Sequence, residues 1–171
     1  MEKGYIHIYT GNGKGKTTAA IGLAIRACMA GERVFIGQFI KGMKYSEQAL
    51  SNYIDGITIE QFGRKCFIRE NPEVEDLEAA RTGLARSRDV LRSERFGVVI
   101  LDEIFIACHY RLVTVEDITK LFEMKPSNVE LVLTGRNAPA EIFEKADLVT
   151  EMREIKHYYH RGVEARKGIE Y

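Results

Sequence analysis

The sequence predicts an α/β fold with a mostly parallel sheet and helices on both of its faces. Short apolar runs alternate with longer segments whose apolar residues recur at helical spacing, which indicates successive strand–helix–strand units. The run at residues 98–101 is continuously apolar, as is typical of a strand buried on both faces of a parallel sheet. The length of 171 residues suits one well-buried core, so we expect a single domain over residues 1–171.

The elements follow in order along the chain. Strands are predicted at residues 5–9, 34–39, 57–62, 98–101, 130–134 and 148–152. Helices are predicted at residues 17–30, from 71 to about 92, from 114 onward and at 138–145. Gly31 ends the first helix, and Asn71 with Pro72 supplies an N-cap and a first helical position for the second. Thr114 begins a helix with an acidic first turn. Periodicity is weak between residues 41 and 71.

Composition argues against several classes of protein. Lys plus Arg and Asp plus Glu both number 25, and this zero net charge argues against a general binder of nucleic acid or anionic membranes. No stretch approaches the ~20 apolar residues of a membrane span, and the N-terminus does not resemble a signal peptide. Cys28, Cys66 and Cys108 form no CxxC pair and are expected to be reduced thiols. We therefore expect a cytoplasmic protein.

A glycine-rich loop joins the first predicted strand to the first helix. Its Gly-Lys-Thr sequence, in this strand–loop–helix context, is typical of a P-loop that binds ATP phosphates through backbone N–H groups and a helix N-terminus. Lys16 is expected to reach the terminal phosphates, and the Thr17 hydroxyl to bind Mg²⁺. The residues predicted to bind the nucleotide are Gly11, Asn12, Gly13, Lys14, Gly15, Lys16, Thr17 and Thr18.

The loop departs from the standard spacing, which would place a glycine at position 10. Thr10 occupies that position and the nearest glycine is Gly11, so the loop is an atypical variant. The alternative interpretation is a glycine-rich loop that only leads into the N-terminal cap of a helix and binds no phosphate. In its context the loop predicts a P-loop NTPase-like fold of the RecA-like kind.

Two acids, Asp102 and Glu103, follow the apolar run at residues 98–101 and complete a Walker B pattern. We expect their strand to lie next to the P-loop strand, so that both acids emerge near the metal. One acid would bind the ion, directly or through water, and the other would orient a neighbouring group. Thr17, Glu103 and Asp102 are therefore predicted to form a metal site; solvated acids at a strand end are the alternative.

Weaker signals occur at other predicted strand ends. Lys41 follows the second strand and is either a phosphate contact or a solvated lysine. Arg136 follows the fifth strand and is either a bidentate phosphate clamp or a surface arginine. A metal site at His157 and His160 is not expected. Residues 162–171 lack the composition of a disordered tail and are expected to dock on the domain.

Together these segments resemble the ATP:corrinoid adenosyltransferases of the CobA type. The resemblance runs through residues 10–20, 38–42, 99–103, 134–136, 146–153, 156–157, 162–163 and 168–171, in order and over essentially the whole chain. It implies transfer of the 5′-deoxyadenosyl group of ATP to the Co(I) of a reduced corrinoid, with release of triphosphate, in adenosylcobalamin biosynthesis or salvage. Because Co(I) is itself a strong nucleophile, the reaction requires no general base, and the sequence offers no convincing candidate.

The resemblance also implies substrates, partners and roles. The substrates would be ATP, bound with reversed polarity along the loop, and a reduced corrinoid; the metal would be Mg²⁺ or Mn²⁺. Lys16 and Glu103 would be catalytic, and Thr17 and Glu103 would bind the metal. Asp102 would contact these ligands and not the metal itself. A homodimer and a flavoprotein or flavin reductant are implied as well, with no nucleic-acid or membrane partner.

Two features of the family are altered in this sequence. An aromatic Phe–Trp pair, thought to close the lower corrinoid face, is matched only by Phe67, and the chain contains no Trp. Some members carry an N-terminal helical extension, whereas this sequence begins directly at its first predicted strand. Two other functions stay open at this point: a P-loop phosphotransferase or ATPase that acts on another small molecule, and a non-enzymatic ATP-dependent interaction module.

Overall fold

Six parallel strands form one sheet in the computed structural model, which describes residues 1–65, 68 and 71–171. The strands are β1 (Ile6–Thr10), β2 (Val34–Phe39), β3 (Ile57–Phe62), β4 (Val98–Asp102), β5 (Glu130–Thr134) and β6 (Leu148–Glu151). Their order across the sheet is β3-β2-β4-β5-β1-β6, and every neighbouring pair is parallel. All six predicted strands are confirmed, as is the predicted α/β class.

The expected position of the acid-bearing strand is wrong. β5 lies between β4 and β1, and its Leu131 pairs with Val99 on one side and with Ile6 on the other. The apolar side chains of β5 are fully buried, so this strand is suited to a central position in the sheet. The carboxyl ends of parallel strands nevertheless share one edge, which keeps the P-loop and both acids on the same side of the molecule.

Helices cover both faces of the sheet, as predicted. They are α1 (Lys16–Met29), α2 (Leu50–Tyr53), α3 (Val74–Ser93), α4 (Ile104–His109) and α5 (Val115–Met124). One core lies under α1, where Ala20 and Ala24 pack with Ile36, Ile100 and Val132. The larger core lies on the other face, beneath α3, α4 and α5. The small side chains of α1 let the helix lie close to the strands that carry the site.

The start of α3 differs from the prediction. The helix begins at Val74 with Glu73 as N-cap, whereas Asn71 and Pro72 lie before it. The buried Asp76 carboxylate accepts the Glu73 N–H at 2.9 Å and the Arg64 Nε–H at 3.0 Å. A cap whose carboxylate is fixed by an arginine explains why the helix begins at this position.

Three other segments refine the predicted helices. Within residues 138–145 a 3₁₀ helix spans Ala140–Lys145, and its later start fits Pro139, which disfavours helical backbone at the residue before it. α4 was not predicted, since it occupies only six residues. The weakly periodic region contains a 3₁₀ turn at Ser46–Ala49 followed by α2. The predicted cap of α5 at Thr114 is confirmed.

No described helix has the length and apolarity needed to cross a membrane. Cys28 and Cys108 are free thiols, as predicted, and Cys66 lies outside the described residues.

Candidate nucleotide-binding site

The P-loop joins β1 to α1 and lies against the chain that follows β6. A Cβ added at Gly11 or Gly13 would approach the Met152 carbonyl oxygen to 2.4 or 2.7 Å, so neither position has room for a side chain. Gly11 and Gly15 also have φ angles of 96° and 115°, in the region that favours glycine. The Gly13 N–H donates to the Met152 carbonyl at 2.7 Å. This N–H therefore fixes the loop against the chain that follows β6.

The ammonium group of Lys16 lies inside the loop. It donates hydrogen bonds to the Gly11 carbonyl at 2.7 Å and to the Gly13 carbonyl at 2.8 Å, and the residue is only 6% exposed. Burial lowers the pKa of Lys16, an effect that the nearby Glu103 carboxylate opposes. Carbonyl oxygens are weaker partners for an ammonium than phosphate oxygens, so Lys16 is suited to exchange these contacts for a phosphate.

Asp102 is buried at the centre of a network of four donors. Its Oδ1 accepts the hydroxyls of Thr17 at 2.8 Å and Thr134 at 2.7 Å. Its Oδ2 accepts the Lys41 ammonium at 2.8 Å and the Gln38 amide at 3.2 Å. Burial opposes ionisation, but the Lys41 charge and the hydrogen bonds hold the pKa of Asp102 below its usual value. The ionised carboxylate is thus committed to donors of the protein itself.

Glu103 differs from its neighbour in both backbone and side chain. Its φ of 59° is unusual for a residue other than glycine, and its N–H donates to the Thr134 hydroxyl at 3.0 Å. Among the described residues, none donates a hydrogen bond to the Glu103 carboxylate. Burial and the nearby Asp102 charge raise the pKa of Glu103. Of the two acids, Glu103 is the one whose oxygens remain available to a cation.

The donors present suit a hard divalent cation. The Thr17 hydroxyl donates a hydrogen bond to Asp102, which leaves the lone pairs of its oxygen free, and the Glu103 carboxylate lines the same cleft. Mg²⁺ and Mn²⁺ prefer such oxygen ligands. In the part of the chain that the structure describes, no cluster of three or more His, Cys, Asp or Glu side chains is arranged to hold a metal.

Two clefts open at the carboxyl edge of the sheet. The first has a volume of about 290 Å³ and is lined by loop residues 13–18, Glu103 and Arg136. The second, of about 340 Å³, contains Lys41 and Tyr45. Thr17, Thr18 and Glu103 line both clefts, so two of the residues predicted to bind a metal, Thr17 and Glu103, lie where the two spaces meet.

The weaker predictions have mixed outcomes. Arg136 is exposed but faces the first cleft, next to the P-loop. The solvated alternative for Lys41 is wrong, because its side chain is 13% exposed and also contacts Glu47 at 3.3 Å. Phe67 lies outside the described residues. His160 contacts the Glu154 carboxylate at 2.7 Å.

The end of the chain contributes residues that sequence reasoning did not identify. His157, Ile169 and Glu170 line the first cleft, and Glu170 accepts a hydrogen bond from Lys14 at 2.8 Å. The predicted docking of residues 162–171 is thereby confirmed. Composition indicated that the segment docks, but nothing local in the sequence indicates that its partner is the P-loop more than 150 residues away.

Comparison with known proteins identifies a single family. The family model described as ATP:corrinoid adenosyltransferase BtuR/CobO/CobP matches residues 2–171. A corrinoid adenosyltransferase of a Sinorhizobium species is 37% identical over 174 residues, which cover 99% of this chain and 81% of that protein. The corrinoid adenosyltransferase of Escherichia coli K12 is 32% identical, and corrinoid adenosyltransferase CobA of Salmonella typhimurium is 31% identical; each match covers 99% of this chain and 87% of the relative. The chain belongs to the ATP:corrinoid adenosyltransferase family.

Proposed function

We propose that this enzyme transfers the 5′-deoxyadenosyl group of ATP to the Co(I) centre of a reduced corrinoid and releases triphosphate. The observation that carries the proposal is the convergence of Lys16, Thr17 and Glu103 on one cleft, in a chain that matches the family from residue 2 to residue 171. These groups suit the departure of an anionic leaving group, and the reaction forms adenosylated corrinoid for cobalamin biosynthesis.

The reaction balances without a protein nucleophile. An electron pair of Co(I) attacks C5′ of ATP and forms the Co–C bond, and cobalt becomes formally Co(III). The bond between C5′ and the α-phosphate oxygen breaks, and its electron pair leaves with the triphosphate. Since the attacking group belongs to the substrate, the enzyme must bind and orient ATP and stabilise the charge that develops on the leaving oxygen.

The residues of the cleft fit these tasks. Lys16 exchanges the carbonyls of Gly11 and Gly13 for oxygens of the triphosphate. The buried positive charge of its ammonium group then stabilises the triphosphate. The guanidinium of Arg136 clamps phosphate oxygens from the mouth of the cleft. Backbone N–H groups of the loop and the α1 N-terminus supply further donors.

Thr17 and Glu103 would hold a divalent ion, Mg²⁺ or Mn²⁺, and Asp102 would orient the Thr17 hydroxyl behind them. Such an ion would neutralise phosphate charge and so improve the leaving group. The pairing of Asp102 with Lys41 keeps the supporting carboxylate ionised and fixed.

The finer features of the proposal follow the family resemblance. We infer a homodimer in the cytoplasm that receives its reduced corrinoid through a flavoprotein or flavin reductant. Phe67 is the aromatic candidate for the lower corrinoid face. The reversed polarity of ATP on the loop would direct C5′ toward the corrinoid.

Product analysis tests the proposal. The protein is incubated with ATP, Mg²⁺ and chemically reduced cobalamin, and Co–C bond formation is followed by absorbance while the phosphate products are separated. We expect adenosylcobalamin and intact triphosphate in equal amounts. A phosphotransferase or ATPase would instead release ADP or phosphate, and a non-enzymatic module would turn over nothing. The family match does not favour either alternative.

A further inference from the structure

The last residues of the chain form the wall between the two clefts. Ile169 and Glu170 line both spaces, and Gly168 and Tyr171 line the second. We refer to residues 166–171 as the terminal strap. The strap therefore borders the phosphate cleft on one side and the neighbouring cleft on the other.

A charged clasp attaches the strap to the P-loop. Lys14 Nζ donates to Glu170 Oε1 at 2.8 Å and to the Tyr158 hydroxyl at 3.0 Å, and Tyr158 also donates to Glu170. From within the strap, Arg166 binds the same carboxylate through its backbone N–H at 2.7 Å and through its guanidinium. Arg166, Lys14 and Tyr158 together hold the pKa of Glu170 far below its usual value. Glu170 is the point at which these contacts meet.

The attachment is polar and superficial. Among the described residues, neither hydrophobic core includes any that follow Ala146, and residues 159–169 are exposed. A further tie of the strap is a hydrogen bond of 3.0 Å from the Ser46 hydroxyl to the Tyr171 carbonyl, and the Arg166 guanidinium lies over the Tyr158 ring. A terminal segment without apolar anchors opens locally at little cost to the rest of the fold.

We propose that Glu170 is a positioning residue for the triphosphate: by holding Lys14, it keeps the terminal strap closed over the phosphate cleft. The inference rests on the proposed function for the identity of the leaving group. Glu170 does not contact the reacting atoms in this arrangement; it acts through Lys14 and through the wall formed by Ile169. A closed strap retains the polyphosphate and keeps the two clefts separate.

The geometry also defines the competing mechanism. The Glu170 carboxylate lines the cleft in which an anion is proposed to bind. If its only effect were to hold Lys14 away from the phosphates, it would weaken polyphosphate binding. If the contact between Lys14 and Glu170 persists in the complex, neutralising Glu170 should weaken the binding of polyphosphate. If the Glu170 carboxylate competes with phosphate for Lys14, the same variant should bind polyphosphate more tightly. The sign of the change therefore distinguishes the two mechanisms.

The test measures binding of inorganic triphosphate and of ATP with Mg²⁺, in the absence of corrinoid, to the unchanged protein and to Glu170→Gln. We expect the dissociation constants to rise at least about threefold, in line with an exposed charge pair. Glu170→Asp, which keeps the charge, should recover part of the affinity. Glu164→Gln is the matched control, because Glu164 lies on the same exposed segment and the described structure gives it no ion pair. Unchanged or tighter binding to Glu170→Gln would overturn the proposal.

A second measurement does not depend on altering Glu170. The chain contains no Trp, so Tyr171→Trp places a single indole on the strap, and its emission can be excited selectively over that of the tyrosines. We expect triphosphate to reduce the quenching of this residue by acrylamide, and Glu170→Gln in the same background to increase quenching without triphosphate. Equal quenching in all states would mean that the strap does not close. If the strap responds but no Co–C bond forms with corrinoid, the proposed function fails and the inference about polyphosphate binding survives.

Discussion

The Thr17 hydroxyl donates a hydrogen bond to Asp102 Oδ1 at 2.8 Å, and the same oxygen accepts the Thr134 hydroxyl at 2.7 Å. The first bond orients the Thr17 hydroxyl, and the second holds the Asp102 carboxylate in place. On the other side of the carboxylate, Lys41 supplies the compensating charge. Asp102 thus determines how Thr17 is presented to a cation, although its own oxygens are occupied.

We expect Asp102→Asn to lower kcat/KM by about 10–100-fold and to raise the Mg²⁺ concentration needed for half-maximal activity. An amide has one acceptor oxygen where the carboxylate has two, so it cannot serve both hydroxyls and Lys41. Titration of activity with Mg²⁺ is the measurement. An unchanged Mg²⁺ requirement would show that Asp102 does not orient the ligand.

The same variant should lose about 3 kcal/mol of unfolding free energy, because the buried Lys41 ammonium loses its closer carboxylate partner and keeps the contact with Glu47 at 3.3 Å. Lys41→Met combined with Asp102→Asn provides the control. It should regain most of the stability without regaining the normal Mg²⁺ requirement, which separates the structural role of Asp102 from its role at the metal.

Lys16→Ala should reduce adenosyl transfer by about 10²–10³-fold, since one preorganised charge on a leaving group contributes on that order. The fold should persist, because the ammonium contacts only the loop carbonyls of Gly11 and Gly13 in the described structure. Triphosphate release under saturating ATP is the measurement, with Lys120→Ala as control on the exposed face of α5. Near-normal turnover would exclude this loop as the phosphate site.

Local patterns in the sequence predicted the elements and the chemistry attached to each. The P-loop follows from its glycines between a strand and a helix, and Asp102 with Glu103 follows from the apolar run that precedes them. Both signals are contained in fewer than ten neighbouring residues. Thr114 is a similar case, because a capping box is also a local pattern.

Long-range relationships were not accessible in the same way. The position of β5 between β1 and β4 depends on which strands pair, and several orders satisfy the same alternation of strands and helices. The contact between Lys14 and Glu170 joins residues 156 positions apart. Lys41 was ambiguous because its partner, Asp102, lies on another strand. In each case the determining interaction is tertiary and has no local sequence signature.

The capping box of α5 predicts a pH-dependent contribution to stability. The Asp117 carboxylate accepts the Thr114 N–H at 3.2 Å and the Thr114 hydroxyl at 2.8 Å, and it binds Arg88 at 2.9 Å. Although burial opposes ionisation, the Thr114 hydrogen bonds and the Arg88 charge hold the pKa of Asp117 below its usual value. The stabilisation is therefore complete above the usual pKa of aspartate, about 3.9, and is lost as the pH falls through the lower pKa of the folded state.

We expect Asp117→Asn to cost about 1 kcal/mol at pH 7 and progressively less as the medium becomes more acidic than about pH 4. Denaturant unfolding at several pH values measures the difference. Asp89→Asn, on the exposed side of α3, should change stability little at any pH. A cost for Asp117→Asn that is independent of pH would mean that the charge of Asp117 plays no part in the cap.

Gly13 in the P-loop and Gly22 in α1 differ in the space available for a side chain. At Gly13 an added Cβ would lie 2.7 Å from the Met152 carbonyl oxygen and 2.8 Å from the Arg153 carbonyl carbon, and backbone atoms cannot move aside at low cost. At Gly22, within α1, an added Cβ would meet nothing within 4 Å. Gly13→Ala should therefore disturb the loop, whereas Gly22→Ala should meet no obstacle.

Gly13→Ala should displace the loop from the chain after β6 and weaken ATP binding at least about tenfold, a change of about 1.4 kcal/mol. Gly22→Ala should leave ATP binding unchanged and stabilise the protein by about 0.5–1 kcal/mol, because alanine has the higher helix propensity. Isothermal titration with ATP and thermal unfolding measure the two effects. Normal ATP affinity in Gly13→Ala would show that the contact with Met152 does not hold the loop in its phosphate-binding shape. Weaker ATP binding in Gly22→Ala would show instead that α1 itself is sensitive to any added side chain. Because weaker ATP binding is expected at Gly13 and not at Gly22, the comparison tests the close approach of the loop to the chain after β6 and not glycine flexibility in general.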